Sequence, residues 1–209
     1  MQGVACGCCS GRCQSLRCCT RVSPRSCIKQ RAGDVLDRLR EFVRGGEFRR
    51  ALTAIKPLID SAISLTRTEA TQQQVEIAVK VHPGLPMILA DTVQIEQVLL
   101  NLLRNAMEAM EAANTEQRLI IIEAQRNSRQ AIEISVADSG PGVTAEMTKT
   151  IFEPFTTTKS FGLGMGLSIS RPIIESHGGS LRMAQDVRSG AMFIFDVPTV
   201  EAEVSADAG

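Results

Sequence analysis

Between residues 54 and 198 the spacing of apolar residues changes period several times, and each change marks a predicted element. In "AIKPLIDSAISLTRTEA" the apolar positions recur at helical spacing, with Pro57 in the first turn, where its missing N–H costs little. "VEIAVKV" alternates and stops at "HPGLP", which predicts a strand and a turn. "MILAD" predicts a short strand, and Asp91 or Thr92 can cap the helix that follows. That helix, "QIEQVLLNLLRNAMEAM", is apolar at Ile95, Val98, Leu99, Leu102, Leu103, Ala106 and Met110. "RLIIIEAQRN" and "QAIEISVAD" predict two strands joined at Asn127-Ser128. After them come the turn "DSGPGV", a short helix near 145–150 and an irregular run to Gly166. "LSISRPIIESHGG" predicts a helix closed by Gly178-Gly179, and "SLRMAQD" and "AMFIFDVP" the last strands. Helices mixed with hairpin-like strand pairs imply an α+β fold, a mixed sheet covered by helices on one face.

Upstream, "RAGDVLDRLREFV" sets Val35, Leu36, Leu39, Phe42 and Val43 at helical spacing before Gly45-Gly46 stops it. Its stripe is apolar on one side only, so this helix is expected to pack outside the main domain.

Composition adds three constraints. The 209 residues suit one domain with appendages, and 44% hydrophobic residues suffice for a core. No run of 18 apolar residues exists, so no membrane span is expected. With no Trp or Tyr and seven Phe, stacking on nucleic acid is not expected.

The net charge of zero sums two unlike parts. Residues 1–33 carry six basic residues and no acid; 23 less these six leaves 17 basic against 23 acidic residues, a balance of −6. All seven cysteines also lie in this opening segment, from Cys6 to Cys27. Cys8-Cys9 and Cys18-Cys19 are adjacent pairs, without a paired C-x-x-C or a histidine, so zinc fits poorly. An apolar core of a secretory signal is missing too. Residues 1–30 are therefore expected to be an unstructured leader. The cysteine-free remainder points to a reducing, cytoplasmic setting.

Four blocks carry candidate chemistry. Gln94, Gln97, Asn101, Asn105 and Glu108 share one helix face at steps of three and four. A solvated face explains Gln94 and Gln97, but not amides at 101 and 105; an amide oxygen suits a hard cation such as Mg²⁺. "DSGPGV" places Asp138 at a strand end, where a carboxylate can accept from an exocyclic amine while glycines admit a flat ring. By itself it is also an ordinary turn. "IFEPFTTTK" offers Phe152 and Phe155 as anchors of a polar loop, and Lys159 as a reach toward phosphate. "GLGMGLSIS" sets Gly162, Gly164 and Gly166 before a helix, where N–H groups and the dipole favour an anion. It is neither a Walker loop nor a dinucleotide fingerprint.

The order of these blocks, closed by "GGS" and "SGAMF", resembles the catalytic ATP-binding domain of two-component sensor histidine kinases, of the gyrase/Hsp90/histidine kinase/MutL superfamily. "FTTTKSFGLGMGLSISRPIIESHGG" is most similar to kinases of the FixL and NtrB type, and 31–46 resembles the end of a second dimerisation helix. The resemblance implies a two-layer α/β sandwich over 47–198, with a mixed sheet of about five strands, followed by an acidic tail at 199–209. It implies ATP and Mg²⁺ as ligands and Asn101, Asn105 and Lys159 as the catalytic set. Asn105 would bind the metal, with Asn101 on the same face, Arg104 contacting phosphate and Glu108 in the cofactor-binding set. Asp138 would take the adenine amino group, and Gly140 and Gly142 would shape its pocket. Residues 152–165 would form a lid, with Thr158 and Lys159 near the phosphates. Gly162, Gly164 and Gly166 would hinge it and face them, and Met165 and Leu167 would belong to the cofactor-binding set.

In ATP-hydrolysing relatives a Glu stands one turn before the metal-binding Asn as general base; here that place is Asn101, which favours a kinase over an ATPase. The acceptor block H-E-x-x-x-P is missing. His82 sits in "VHPGLP", and His177 is expected to pack or to cap a helix end as a partly charged ring. The expectation is a truncated kinase whose opening residues come from a displaced start or a frame error, so the acceptor histidine acts in trans or is lost. Reading the upstream DNA in all frames checks this. Partners would be a histidine-containing dimerisation domain and a response regulator, with weak self-association through 31–44. A serine kinase of the anti-sigma type and a non-catalytic ATP-binding fragment remain as alternatives.

Overall fold

The computed structural model describes residues 49–156, 164–184 and 189–200. The leader, the helix expected at 31–44 and the tail beyond residue 200 lie outside the described residues. Within them the chain runs β1 (Ala51–Thr53), α1 (Ile55–Gln72), β2 (Glu76–Val81), β3 (Ile88–Ala90), α2 (Thr92–Ala112), β4 (Leu119–Arg126) and β5 (Ala131–Asp138). It continues through α3 (Ala145–Thr148), α4 (Gly166–Ser176), β6 (Leu181–Met183) and β7 (Met192–Pro198).

Five strands form one sheet in the order β2-β4-β5-β7-β6. β2 runs parallel to β4, and the other neighbours are antiparallel. β1 pairs with β3 in a separate two-stranded ribbon. The sequence reading missed β1, because three residues are too few for an alternation to register. The mixed sheet is the α+β architecture expected.

Alternation decides which face meets the helices. On β4, Ile120, Ile122 and Ala124 are buried while Glu123 and Gln125 face away. Ile132, Ile134 and Val136 do the same on β5. Against them lie Val98, Leu99, Leu102, Leu103, Ala106, Met107 and Met110 of α2, and Ile55, Leu58, Ile59 and Ala62 of α1. Full burial of each such large aliphatic chain stabilises the fold by about 1.5–3 kcal/mol. The opposite face is held by ion pairs, Lys80–Glu123 at 2.7 Å and Arg182–Glu133 at 2.9 Å. Hydrogen bonds from Lys80 and then His82 hold the Glu123 carboxyl below the usual range.

Side chains tie down the start of α2 and the end of α4. Asp91 caps α2, its Oδ1 accepting from the N–H groups of Val93 at 3.1 Å and Gln94 at 3.2 Å. At the end of α4 the buried His177 ring lies 2.7 Å from the Ile173 carbonyl through Nδ1 and 3.0 Å from the Asp91 N–H through Nε2. Donation from Nδ1 and acceptance at Nε2 fix the tautomer with a bare Nε2. His177 thus packs at and caps the end of α4, as expected from the sequence, and in addition joins it to the cap of α2. Gly179 follows because a Cβ there would fall 1.8 Å from the Asp196 carbonyl oxygen.

Candidate functional site

The last residue of β5 is Asp138, an acid at the end of a strand whose buried positions are otherwise apolar. Its Oδ1 accepts from the Gly140 N–H at 2.8 Å and the Ala191 N–H at 3.2 Å. Oδ2 takes no hydrogen bond among the described residues. Burial pushes the carboxyl above its usual range, against the opposing pull of the Gly140 and Ala191 N–H groups. A carboxylate held by one oxygen and bare at the other is an acceptor aimed at an incoming N–H.

Glycines make room around it. A Cβ on Gly140 would lie 2.8 Å from Asp138 Oδ1, and one on Gly142, at φ +78°, would lie 2.9 Å from the Gly190 carbonyl oxygen. Gly190, at φ +75°, leaves no room for a side chain at all: its Cβ would fall 1.7 Å from the Asp138 carbonyl oxygen. Gly190 and Ala191 were missed as site residues, although "SGAMF" held the signal. The turn is also stapled to β4, since Ser139 Oγ accepts from the Leu119 N–H at 3.0 Å.

Helix α2 runs beneath this turn and supplies the second half of the site. Asn101, Asn105 and Ala109 lie at steps of four on one face. At one end of the face, a Cβ on Gly166 would sit 3.8 Å from Asn105 Nδ2 and 3.9 Å from Asn101 Cγ. At the other, a Cβ on Gly140 would sit 3.7 Å from Ala109 Cβ and 3.4 Å from Met110 Cγ. The predicted site residues Asn101, Asn105, Asp138, Gly140, Gly142 and Gly166 therefore line one continuous stretch. The polar stripe is half-buried, because α4 lies against it.

Helix α4 begins without a side-chain cap at Met165, which leaves its first N–H groups to be satisfied from outside the helix. Gly164, at φ +64°, is required by a close approach: a Cβ would fall 2.7 Å from the Thr156 carbonyl oxygen. Among the described residues of the preceding loop, Phe152 packs against the core beside Ile151. Its ring meets Phe193 edge-on at 6.4 Å, and the Arg171 guanidinium carbon stands 3.9 Å over it. Phe155, expected as a second anchor, is instead 73% exposed at φ +65°.

Other expectations fall elsewhere. Arg104 is exposed and its guanidinium lies 3.7 Å from Glu69 of α1, turned toward the neighbouring helix. Leu167 is buried in the apolar core. Glu108 is half-buried on α2, one turn from Asn105. Thr158, Lys159 and Gly162 lie outside the described residues. Among the described residues no group of three or more His, Cys, Asp or Glu could hold a metal by itself. The donor set at Asn105, an amide without a carboxylate cluster, suits a hard cation that brings most of its oxygen ligands with it.

Comparison with known proteins gives a consistent picture. Residues 90–201 match the model of histidine kinase-, DNA gyrase B- and HSP90-like ATPases. The sensor protein FixL of Bradyrhizobium diazoefficiens is 40% identical over 171 residues, which is 82% of this chain and 34% of that protein. The chain thus spans about a third of that relative. Among solved structures, the catalytic domain of the histidine kinase ThkA superposes with a TM-score of 0.64 at 32% identity, over 72% of this chain and 96% of that one. Full-length ShkA in complex with AMPPNP gives 0.65 at 32% identity, over 75% of this chain and 32% of that one. ThkA in complex with the response regulator protein TrrA gives 0.67 at 27% identity, over 84% and 49%.

Proposed function

Because the chain belongs to the family of histidine kinase-, DNA gyrase B- and HSP90-like ATPases, we propose that it binds ATP on α2 and serves as the catalytic domain of a sensor histidine kinase. One observation carries this reading. A single face of α2 extends from the uncapped start of α4, at Asn101 and Asn105, to the Asp138 cradle, at Ala109.

The adenine amino group donates to the free oxygen of Asp138, and the flat ring enters where Gly140, Gly142 and Gly190 exclude side chains. The triphosphate extends toward the first N–H groups of α4, where the helix dipole favours negative charge. Asn105 contributes an amide oxygen to Mg²⁺, and the ion supplies neutralisation of phosphate charge when it is bound. Asn101 offers no base for activating water, so the site positions the γ-phosphate for a better nucleophile. That nucleophile is a histidine on a separate dimerisation domain, and a response regulator receives the phosphate afterwards. AMPPNP on ShkA and the regulator bound to ThkA support the two halves of this reading.

Incubating the chain with radiolabelled Mg-ATP and an isolated histidine-containing dimerisation domain tests the proposal. Acid-labile label on that domain is expected. Acid-stable phosphoserine, or no label on a chain that binds ATP, would contradict the transfer step.

A further inference from the structure

The sequence presents Asn101 as a residue of the nucleotide face, but its hydrogen bonds point elsewhere. Asn101 Nδ2 donates to Ser170 Oγ at 3.3 Å and to the Gly166 carbonyl at 3.4 Å. Ser170, fully buried, donates its own hydroxyl proton to the same Gly166 carbonyl at 2.9 Å. The hydroxyl proton is therefore committed, and toward Asn101 the Ser170 oxygen is an acceptor. Both groups facing Asn101 are acceptors, and an amide with two N–H bonds satisfies both. A carboxylate at 101 would lose both N–H bonds, face the Gly166 carbonyl with no donor between them, and gain the Ser170 proton only by taking it from that carbonyl.

This triangle is the first turn of α4, one residue past Gly164 and Met165. Its carbonyl partner Gly166 is also the residue whose missing side chain opens onto Asn105, 3.8 Å away from the place of a Cβ. At the far end of the same helix, His177 ties α4 to Asp91 at the start of α2. α4 is thus registered on α2 by side-chain bonds at both ends, and the bond nearer the site comes from Asn101.

We propose that Asn101 is a positioning residue: its amide pins the first turn of α4 through Gly166 and Ser170, and so fixes the glycine backbone over Asn105. It acts on the nucleotide through α4. The inference rests on the nucleotide reading above and deepens it, naming why an amide stands at this position.

The test compares wild type, Asn101→Asp, Ser170→Ala and the double variant, all in the full chain. Affinity is measured by calorimetry for Mg-ATP and for ADP in EDTA, and hydrogen exchange of α4 amides without nucleotide. Loss of a hydrogen bond of ordinary strength predicts about 5–10-fold weaker binding in each single variant. The double variant should be no weaker than the worse single one, because both remove one linkage. The loss should be equal with and without Mg²⁺, and the first turn of α4 should exchange faster in every variant. Ser170→Ala that binds and exchanges like wild type would overturn the inference, as would a loss in Asn101→Asp confined to Mg²⁺. Wild type that fails to bind either nucleotide would instead defeat the functional reading itself.

Discussion

Gly190 sits against Asp138 so closely that a Cβ on the glycine would fall 1.7 Å from the aspartate's carbonyl oxygen. The contact locks the end of β5 to the start of β7, where the Asp138 N–H donates to the Ala191 carbonyl at 2.9 Å. Gly190→Ala adds both a backbone clash and a side chain at φ +75°, so a loss of about 2 kcal/mol or more is expected in denaturant unfolding. Nucleotide affinity should fall with it. A variant within about 0.5 kcal/mol of wild type would mean that the cradle is not rigid.

Asp138 makes a pH prediction whose sign follows from its burial. Its carboxyl is raised in the folded state, so the stability it contributes is present below the ordinary carboxylate range and lost as pH rises through the raised value. Asp138→Asn should therefore melt higher than wild type at neutral pH, and the gap should close on acidification. The amide can still accept from Gly140 and Ala191, but turns a donor toward the adenine amine, so ATP affinity should drop about tenfold or more. A variant that is less stable at neutral pH would contradict the burial argument.

The two phenylalanines of "IFEPFTTTK" should behave oppositely. Phe152→Ala removes the edge contact with Phe193 and the seat of Arg171, and should cost about 2 kcal/mol. Phe155 is 73% exposed at φ +65°, so Phe155→Gly relieves a left-handed backbone and should be neutral or stabilising by up to about 1 kcal/mol. Chemical denaturation of both variants checks the contrast; equal losses would contradict it.

His177 is predicted to act through its acceptor nitrogen. His177→Gln can offer an oxygen to the Asp91 N–H, whereas His177→Asn is too short to reach it. The first should retain more stability than the second by about 1 kcal/mol. The reverse order would show that the Nδ1 side, with Ile173, carries the contact.

Much of this was readable from the chain because local and global signals agree. The period of "RLIIIEAQRN" gave a strand and its buried face, and Asp91 before a leucine-rich run gave a capped helix. The order of the glycine and asparagine blocks gave the family. What escaped was set by partners distant in sequence. β1 is too short to announce itself and exists by pairing with β3. Gly190 reads as a turn glycine until β7 places it against Asp138. Asn101 reads as a residue of the nucleotide face because its bonds to Gly166 and Ser170 span the whole of β4, β5 and the loops after them.

The central claim is that α2 and the Asp138 cradle bind Mg-ATP, and calorimetry on wild type, Asn105→Ala and Asp138→Ala tests it most directly. Wild type should bind one nucleotide. Asn105→Ala should lose the part of the affinity that depends on Mg²⁺, and Asp138→Ala should lose at least about tenfold whether or not Mg²⁺ is present. Binding in both variants as tight as in wild type would contradict the account.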